Sequence, residues 1–434
     1  MSGKGPAPQT LNVETAVRPR DERLLMTAVF LFWFSVYTYP SFLTSYATNA
    51  LGATAVMAGM ITGSYGLTQM ILRIPLGIAS DMIKKRKPFV MLGLGLSVAA
   101  SLGLALVALL ASGDGAPRWL SWGALIFRGI SGMTAATWVN LSVLYASGYK
   151  GDGAAAAMSR VIVPQCGSQV IAMLLGAQLA GHFGELYAFL LGTAAAVAGL
   201  IVMARVEDRV PTGEALTLRR LAALARNRQL LVGTLLATVY QLVVWATVQG
   251  FVQNWARDVI GVATAELGYL STANLLFNTI LSRFSGTVLL RRFGRRTVLA
   301  AGFVLLTGAC LLYPLTNSLI TLLAAQVLIG SGVGLIMPLT MSGAIETVPE
   351  NQRGAAMGFY QAVYGLGMFL GPVIAGAVIG RFADPAAGAL GAVPGYVANF
   401  RIAAVIAAVG CALSVLLTPG RGNEARRSNS NLTR

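Results

Sequence analysis

Three arginines, Arg73, Arg128 and Arg283, stand inside long apolar runs of this chain. A guanidinium in such surroundings has one obvious chemistry. It offers five N–H donors in a planar fork that matches carboxylate, phosphate and similar oxyanions, often in a bidentate way. Arg73 lies eight residues before Asp81, and Arg283 eight residues before Arg291. In a helix that spacing puts each about 12 Å from one end of its run. Arg128 lies about 13 Å from the end of its own run. No Asp or Glu lies deep in these runs; Asp81, Glu266 and Glu346 are all near ends. An ionisable residue at depth in apolar surroundings is costly and marks a functional site by default. Arg73 and Arg283 are therefore candidate ligands of an anionic solute. The competing expectation is structural: each arginine reaches toward a polar end or bonds backbone carbonyls.

Uncharged polar groups gather in the same runs. They include Tyr37, Trp138, Gln165, Gln241, Trp245, Gln249, Asn274 and Tyr364, which join the arginines as candidate cavity residues. Gln241, Trp245 and Gln249 recur every four residues, so they share one helix face. Such a cavity, rich in amides and aromatic rings, would also suit sugars or mixed drug-like solutes. The alternative is that these groups satisfy one another between helices, since hydrocarbon offers no water.

The elements that must carry these residues are membrane-spanning helices. The chain has 434 residues, 56% hydrophobic and only 11% charged, against about 25% charged in a soluble globular protein. A span needs about 20 mostly apolar residues. Twelve are expected: Leu24–Thr48, Thr54–Ala79, Pro88–Ala111, Trp119–Ser147, Ala154–Gly181, Leu186–Ala204, Leu230–Trp255, Glu266–Leu290, Thr297–Leu315, Ser318–Glu346, Gly354–Gly380 and Tyr396–Thr418. The organisation is a tail at 1–23, a six-helix bundle at 24–206, a linker at 207–228, a second six-helix bundle at 229–418 and a tail at 419–434. Between Arg205 and Arg228, Leu216, Leu221 and Leu224 could share a face opposite Arg219, Arg220 and Arg226, as an interfacial helix or as a plain solvated linker. The N-terminus does not resemble a cleaved signal peptide.

The net charge of +16 does not point to nucleic acid, because the basic residues form short clusters between apolar runs. Lys84 to Lys87, Lys150 and Arg160, the six arginines of the central linker, Arg291 to Arg296, and Arg421 to Arg427 all fall on one side. Basic loops face the cytoplasm, so both termini are expected there, in an inner or plasma membrane. Cys166, Cys310 and Cys411 lie in apolar runs, and His182 is the single histidine. No metal spacing and no nucleophile–base pair is apparent, so the chain is read as neither metal-dependent nor an enzyme. No cofactor is expected beyond a possible coupling proton, for which no deep carboxylate offers a carrier.

The halves resemble each other. Span two ends in Ile71-Leu72-Arg73-Ile74-Pro75-Leu76-Gly77 and span eight in Ile280-Leu281-Ser282-Arg283-Phe284-Ser285-Gly286, each followed by a basic loop. Gly77, Asp81 and Lys84 to Lys87 match the pattern G-x-x-x-D-(R)-x-G-R-R, with Met82 and Lys84 replacing the usual Arg and Gly. Gly286, Arg291, Arg292, Gly294, Arg295 and Arg296 form a second copy, with Leu290 where the Asp would be. Arg128-Gly129-Ile130-Ser131-Gly132 with Ala136 matches R-x-x-x-G-x-x-x-A. With twelve spans in two halves, the chain resembles the major facilitator superfamily along essentially its whole length.

The resemblance implies an all-α membrane protein of twelve transmembrane helices in two pseudo-symmetric six-helix bundles. It implies a monomeric secondary transporter that moves a small solute by alternating access. It further implies conformational roles for Gly77, Asp81, Arg128, Arg291 and Arg295, with Asp81 gating between helices two and eleven. The arginines of spans two and eight are similar to those that hold the anion in the superfamily's nitrate/nitrite porters, but the glycine–asparagine signature of those porters is absent. The exporter signature of helix five fails at Val163 to Ser168, while a close match, Gly367 to Gly376, stands on helix eleven. The expectation is a transporter of a small organic solute, an anion favoured. A multidrug-type exporter and a non-transporting receptor or scaffold are the alternatives.

Overall fold

The computed structural model describes residues 19–112, 117–147, 153–208, 224, 226–349, 352–384 and 391–419. Among these the chain is helical throughout, in twelve spans that form two six-helix bundles. Helix α1 covers Pro19–Tyr37 and resumes as Leu43–Asn49; α2 is Ala55–Ile83 and α3 Lys87–Ala111. Helix α4 is Trp119–Ala136 continued by Trp138–Ala146; α5 is Gly153–Phe183 and α6 Glu185–Ala204. In the second bundle α7 starts as Arg228–Ala246 and runs on through two π turns to Ile260, and α8 is Leu267–Phe284 with a π turn and a last segment to Phe293. Helices α9, α10, α11 and α12 are Arg295–Leu312, Leu319–Glu346, Arg353–Phe382 and Val393–Leu417.

Nine of the described helices are long and apolar enough to cross a membrane by themselves. The other three, α1, α4 and α8, depart for local reasons. Span one was expected to be continuous, but Pro40 lacks an N–H and breaks it between Tyr37 and Leu43. Span four is interrupted at Thr137, whose hydroxyl bonds back to the Thr134 carbonyl at 2.7 Å, a contact that bends helices. Span eight carries Asn274, Asn278 and Arg283 within 18 residues. Of the stretch between Arg205 and Arg228, read as an interfacial helix or a solvated linker, residues 209–223 and 225 lie outside the described residues, whereas Leu224 is buried. The greater part of each tail also lies outside them.

The two copies of the loop motif differ in backbone. Lys84 ends α2 in the left-handed region at φ 54°, where the pattern asks for glycine. In the second copy Gly294 takes that place at φ 80°. The distance from the first glycine is seven residues in one copy, Gly77 to Lys84, and eight in the other, Gly286 to Gly294. The π turn Ser285–Leu289 absorbs the extra residue, because an i→i+5 bond encloses one residue more than an α turn.

The halves meet along α2 and α11, where small residues let backbones touch. A methyl group on Gly63 would lie 2.7 Å from the Phe369 carbonyl oxygen, and one on Gly66 2.7 Å from the Met368 Cβ. Gly59 faces the Pro372 carbonyl and Gly376 the Ala55 carbonyl in the same way. On the other side, Gly268 of α8 lies against the Met173 carbonyl of α5.

Polar contacts close the end opposite the basic loops. Thr44 donates to the Gln249 carbonyl at 3.3 Å, Asn254 to Thr48 at 2.7 Å and Gln178 to the Ala265 carbonyl at 3.1 Å. Asn49 reaches Asp258 at 3.4 Å, and Asp258 also accepts from Tyr396 at 2.8 Å. At the basic end several contacts among the described residues lie within one half. Asp208 accepts from the backbone N–H groups of Arg86 and Lys87 and so caps α3. Asn227 caps α7 through Gln229 and Leu230, and Arg295 pairs with Glu346.

Candidate functional site

Arg128 stands near the middle of the membrane-spanning layer, nine residues into α4, and is 3% exposed. Helix α4 packs on α2 at this level: Thr68 donates to the Gly129 carbonyl at 2.6 Å. The packing presents the guanidinium to two rings, 4.4 Å from the Tyr65 centroid and 5.4 Å from that of Tyr39. Its Nη1 lies 3.3 Å from the Ser131 hydroxyl, and its Nε has no acceptor. Arg128 lines a gap between the halves with Tyr37, Pro40, Tyr65, Trp245 and Gln249. Across this gap Tyr65 of α2 stacks on Trp245 of α7, with centroids 5.5 Å apart and planes 15° from parallel.

Arg73 is two turns further along α2 from Tyr65, on the same face and also 3% exposed. It donates to the Gln361 side-chain oxygen of α11 and to the Ala135 carbonyl at 3.3 Å, and its Nε has no acceptor. The Tyr65 hydroxyl lies within electrostatic range of both arginines, and that of Tyr37 within range of Arg128, Tyr364 and Cys166. Among the described residues no carboxylate stands within ion-pair distance of Arg73 or Arg128. Removing a cation from water costs several kcal/mol even after relaxation, and a cation–π contact returns only about 0.5–2 kcal/mol. Neutral partners therefore leave both arginines with unspent affinity for an anion.

The remaining expected residues divide. Trp245, Gln249 and Tyr37 join Arg128 at the gap. Gln241 is turned against α11, where its Cβ would lie 3.2 Å from a methyl group on Gly367. Trp245 lies one turn further along the same regular helix, its Cβ against Gly371 of α11, and the π turn Thr247–Phe251 that follows changes the register of Gln249 alone. Trp138 packs edge-on against Trp33 at 5.1 Å, and Tyr364 against Tyr360 at 5.3 Å. Gln165 is half-buried on α5 beside Cys166. Asn274 lies against Gly330 and its amide nitrogen has no acceptor. Arg283 is exposed near the basic end of α8, so the two motif arginines occupy unlike environments.

Of the expected gate residues, Asp81 pairs with Arg86 of its own loop, and Arg86 also bonds Ser80 and, at 2.9 Å, Asn140. Arg295 pairs with Glu346, Arg291 is exposed, and Gly77 has open space where a side chain would begin. Tyr65 was not singled out in the sequence, though its position eight residues before Arg73 places it on the same helix face. Thr44 and Asp258, at the closed end, carried no signal beyond being polar.

Two helical bundles with a polar, cationic layer between them define a membrane transport protein. A family model described as Major Facilitator Superfamily matches residues 25–261 and 230–432, and the chain belongs to that superfamily. An uncharacterised transporter of this type from Methanocaldococcus jannaschii is 23% identical over 367 residues, covering 80% of this chain and 89% of the relative. The riboflavin transporter RibZ of Clostridioides difficile is 27% identical over 144 residues, covering 32% of this chain; the match spans about a third, 31%, of that relative's length. A bacterial homologue of the human lysosomal transporter Spinster, solved in an inward-facing and unoccupied conformation, superposes with TM-score 0.73 at 14% identity, over 92% of this chain and 97% of the other. That likeness shows the shared fold. That superfamily is one of transporters and not of enzymes.

Proposed function

We propose that the chain is a monomeric secondary transporter that carries a small organic anion across the cell's inner or plasma membrane by alternating access. One observation carries the reading: Arg73 and Arg128 are each 3% exposed, and each has an Nε without an acceptor. An anion entering the layer between the halves would supply the acceptors that the protein lacks. With the basic loops and both termini in the cytoplasm, the shut end faces outward and the solute enters or leaves at the basic end. Arg283, exposed on that side, would attract an anion on its way to the buried pair. RibZ, a transporter of an organic solute, supports the solute class but not the anion preference.

The test is thermal unfolding of the purified protein with carboxylates, phosphorylated solutes, inorganic oxyanions, sugars and lipophilic cations, followed by counterflow in liposomes with whichever stabilises it. A ligand at a hundred times its Kd adds about 2.7 kcal/mol of stability. Stabilisation by anions that is lost in Arg128→Gln or Arg73→Gln supports the reading. Stabilisation by sugars or cations, unchanged in both variants, makes the arginines structural and overturns it.

A further inference from the structure

We infer that the solute carries a planar aromatic ring, received between Tyr65 and Trp245, with its carboxylate on Arg128. This rests on the organic-anion reading above and gives the anion a body. The two rings are nearly parallel, 15° apart, and are 3% and 5% exposed. They come from different halves, Tyr65 from α2 and Trp245 from α7, and they border the same gap as Arg128. Two flat walls, with a cation over the ring of one of them and bordering the same gap, form a slot for a flat anion.

In the present state the slot is shut. Its empty space, about 180 Å³, is spread through crevices too narrow for water. The protein's own groups stand where a solute would: Trp245 covers Tyr65, and the rings of Tyr39 and Tyr65 cover the guanidinium. A ring face is a weaker partner for a guanidinium than a carboxylate is, so an arriving anion displaces it. A third ring in van der Waals contact on both faces needs planes about 7 Å apart, twice the ~3.5 Å spacing of two rings in direct stacking contact. Tyr65 and Trp245 must therefore part by one ring thickness, ~3.5 Å. Because each wall belongs to a different half, that parting is a movement of one half against the other. Filling the slot and rearranging the bundles are then one event, and a saturated ring, thicker and without a flat face, fits the slot poorly.

The test uses the full chain purified in detergent and matched ligands: benzoate against cyclohexanecarboxylate, 2-naphthoate against its saturated counterpart, benzamide as the neutral ring, and succinate and phosphate as anions without a ring. Binding is read by thermal shift and by quenching of tryptophan fluorescence. The aromatic acids are expected to bind about tenfold tighter than their saturated partners, with no binding of benzamide. Trp245→Leu should erase the preference and keep residual carboxylate binding. The wild-type comparison decides the matter even if that variant does not fold, and Trp245→Phe should retain the preference. Equal binding of aromatic and saturated acids, or of succinate alone, overturns the ring slot and leaves the organic-anion reading standing. A preference that survives both Trp245→Leu and Tyr65→Leu places the ring elsewhere and overturns it too. Binding by no anion at all overturns both.

Discussion

The guanidinium of Arg73, on α2, donates to the side-chain oxygen of Gln361, on α11, and so ties one half of the transporter to the other. Its second donor goes to the Ala135 carbonyl of α4, within its own half. The bond across the halves belongs to the state that is shut opposite the basic loops. A hydrogen bond to a charged group contributes about 1.5–3 kcal/mol. Gln361→Ala should therefore move the population toward the state open at that end, by about tenfold or more. Labelling of a cysteine at Thr44, buried against Gln249 in the shut state, in a background lacking Cys166, Cys310 and Cys411, reads the shift as a faster rate. An unchanged rate would show that the tie is made equally in both states.

Side chains added along the α2–α11 seam should act on closure rather than on folding of either half. A β-carbon on Gly59 would collide with the Pro372 carbonyl, and one on Gly376 with that of Ala55. These are backbone atoms and cannot turn aside. Gly59→Val is expected to yield a folded protein that cannot shut at the end opposite the basic loops, with transport lost and the Thr44 site permanently open to label. Normal transport by this variant would show that the two helices are not in register here.

Arg86 is 6% exposed and serves Asp81, Ser80 and Asn140 at once. Arg86→Ala takes a charged partner from a partly buried carboxylate and a donor from two polar neighbours. Removing one member of a buried pair costs about 3–5 kcal/mol. Asp81, with its side chain 18% exposed, keeps some contact with water, so a value near the lower bound, about 3 kcal/mol, is expected. The double variant Arg86→Ala with Asp81→Asn should recover part of it, as measured by thermal unfolding.

At Lys84 a lysine holds a left-handed backbone that costs a residue with a Cβ about 1–2 kcal/mol. Glycine removes that strain but adds about 0.5–1 kcal/mol of chain entropy to the unfolded state. Lys84→Gly should therefore raise the unfolding temperature slightly, by the equivalent of about 0.5–1 kcal/mol. A fall in stability would mean that the lysine side chain makes a contact worth more than the strain.

Much of this architecture was legible in the sequence because apolar length is a one-dimensional property. The span count, the division into halves and the depth of Arg73 and Arg128 needed only counting. What failed to show was whatever depends on a neighbouring helix. The run from Gly367 to Gly376 read as a displaced exporter signature, yet its glycines are where α11 touches α2 and α7: Gly376 lies on Ala55, and Gly371 on Leu242 and Ala246. Gln241, Trp245 and Gln249 read as one face, yet a π turn shifts the register at Gln249, and of the three Trp245 and Gln249 line the gap. The motif arginines looked equivalent, but Arg73 is buried and Arg283 exposed. A repeat in sequence fixes where residues stand along a helix and leaves open what each half sets against them.

The seam of touching backbones also bears on how such a protein can diversify. Its tightest contacts use atoms that every residue shares, so its fit is indifferent to the chemistry of the cargo. Residues around the slot, by contrast, would meet the cargo through side chains. Lineages descended from this chain could exchange Tyr65, Trp245 or Gln249 and acquire a new diet while keeping the machinery of opening and closing intact. Glycines of the seam should be the slowest positions to change and slot residues the fastest, a pattern that a library of random variants selected for growth on different solutes would reveal.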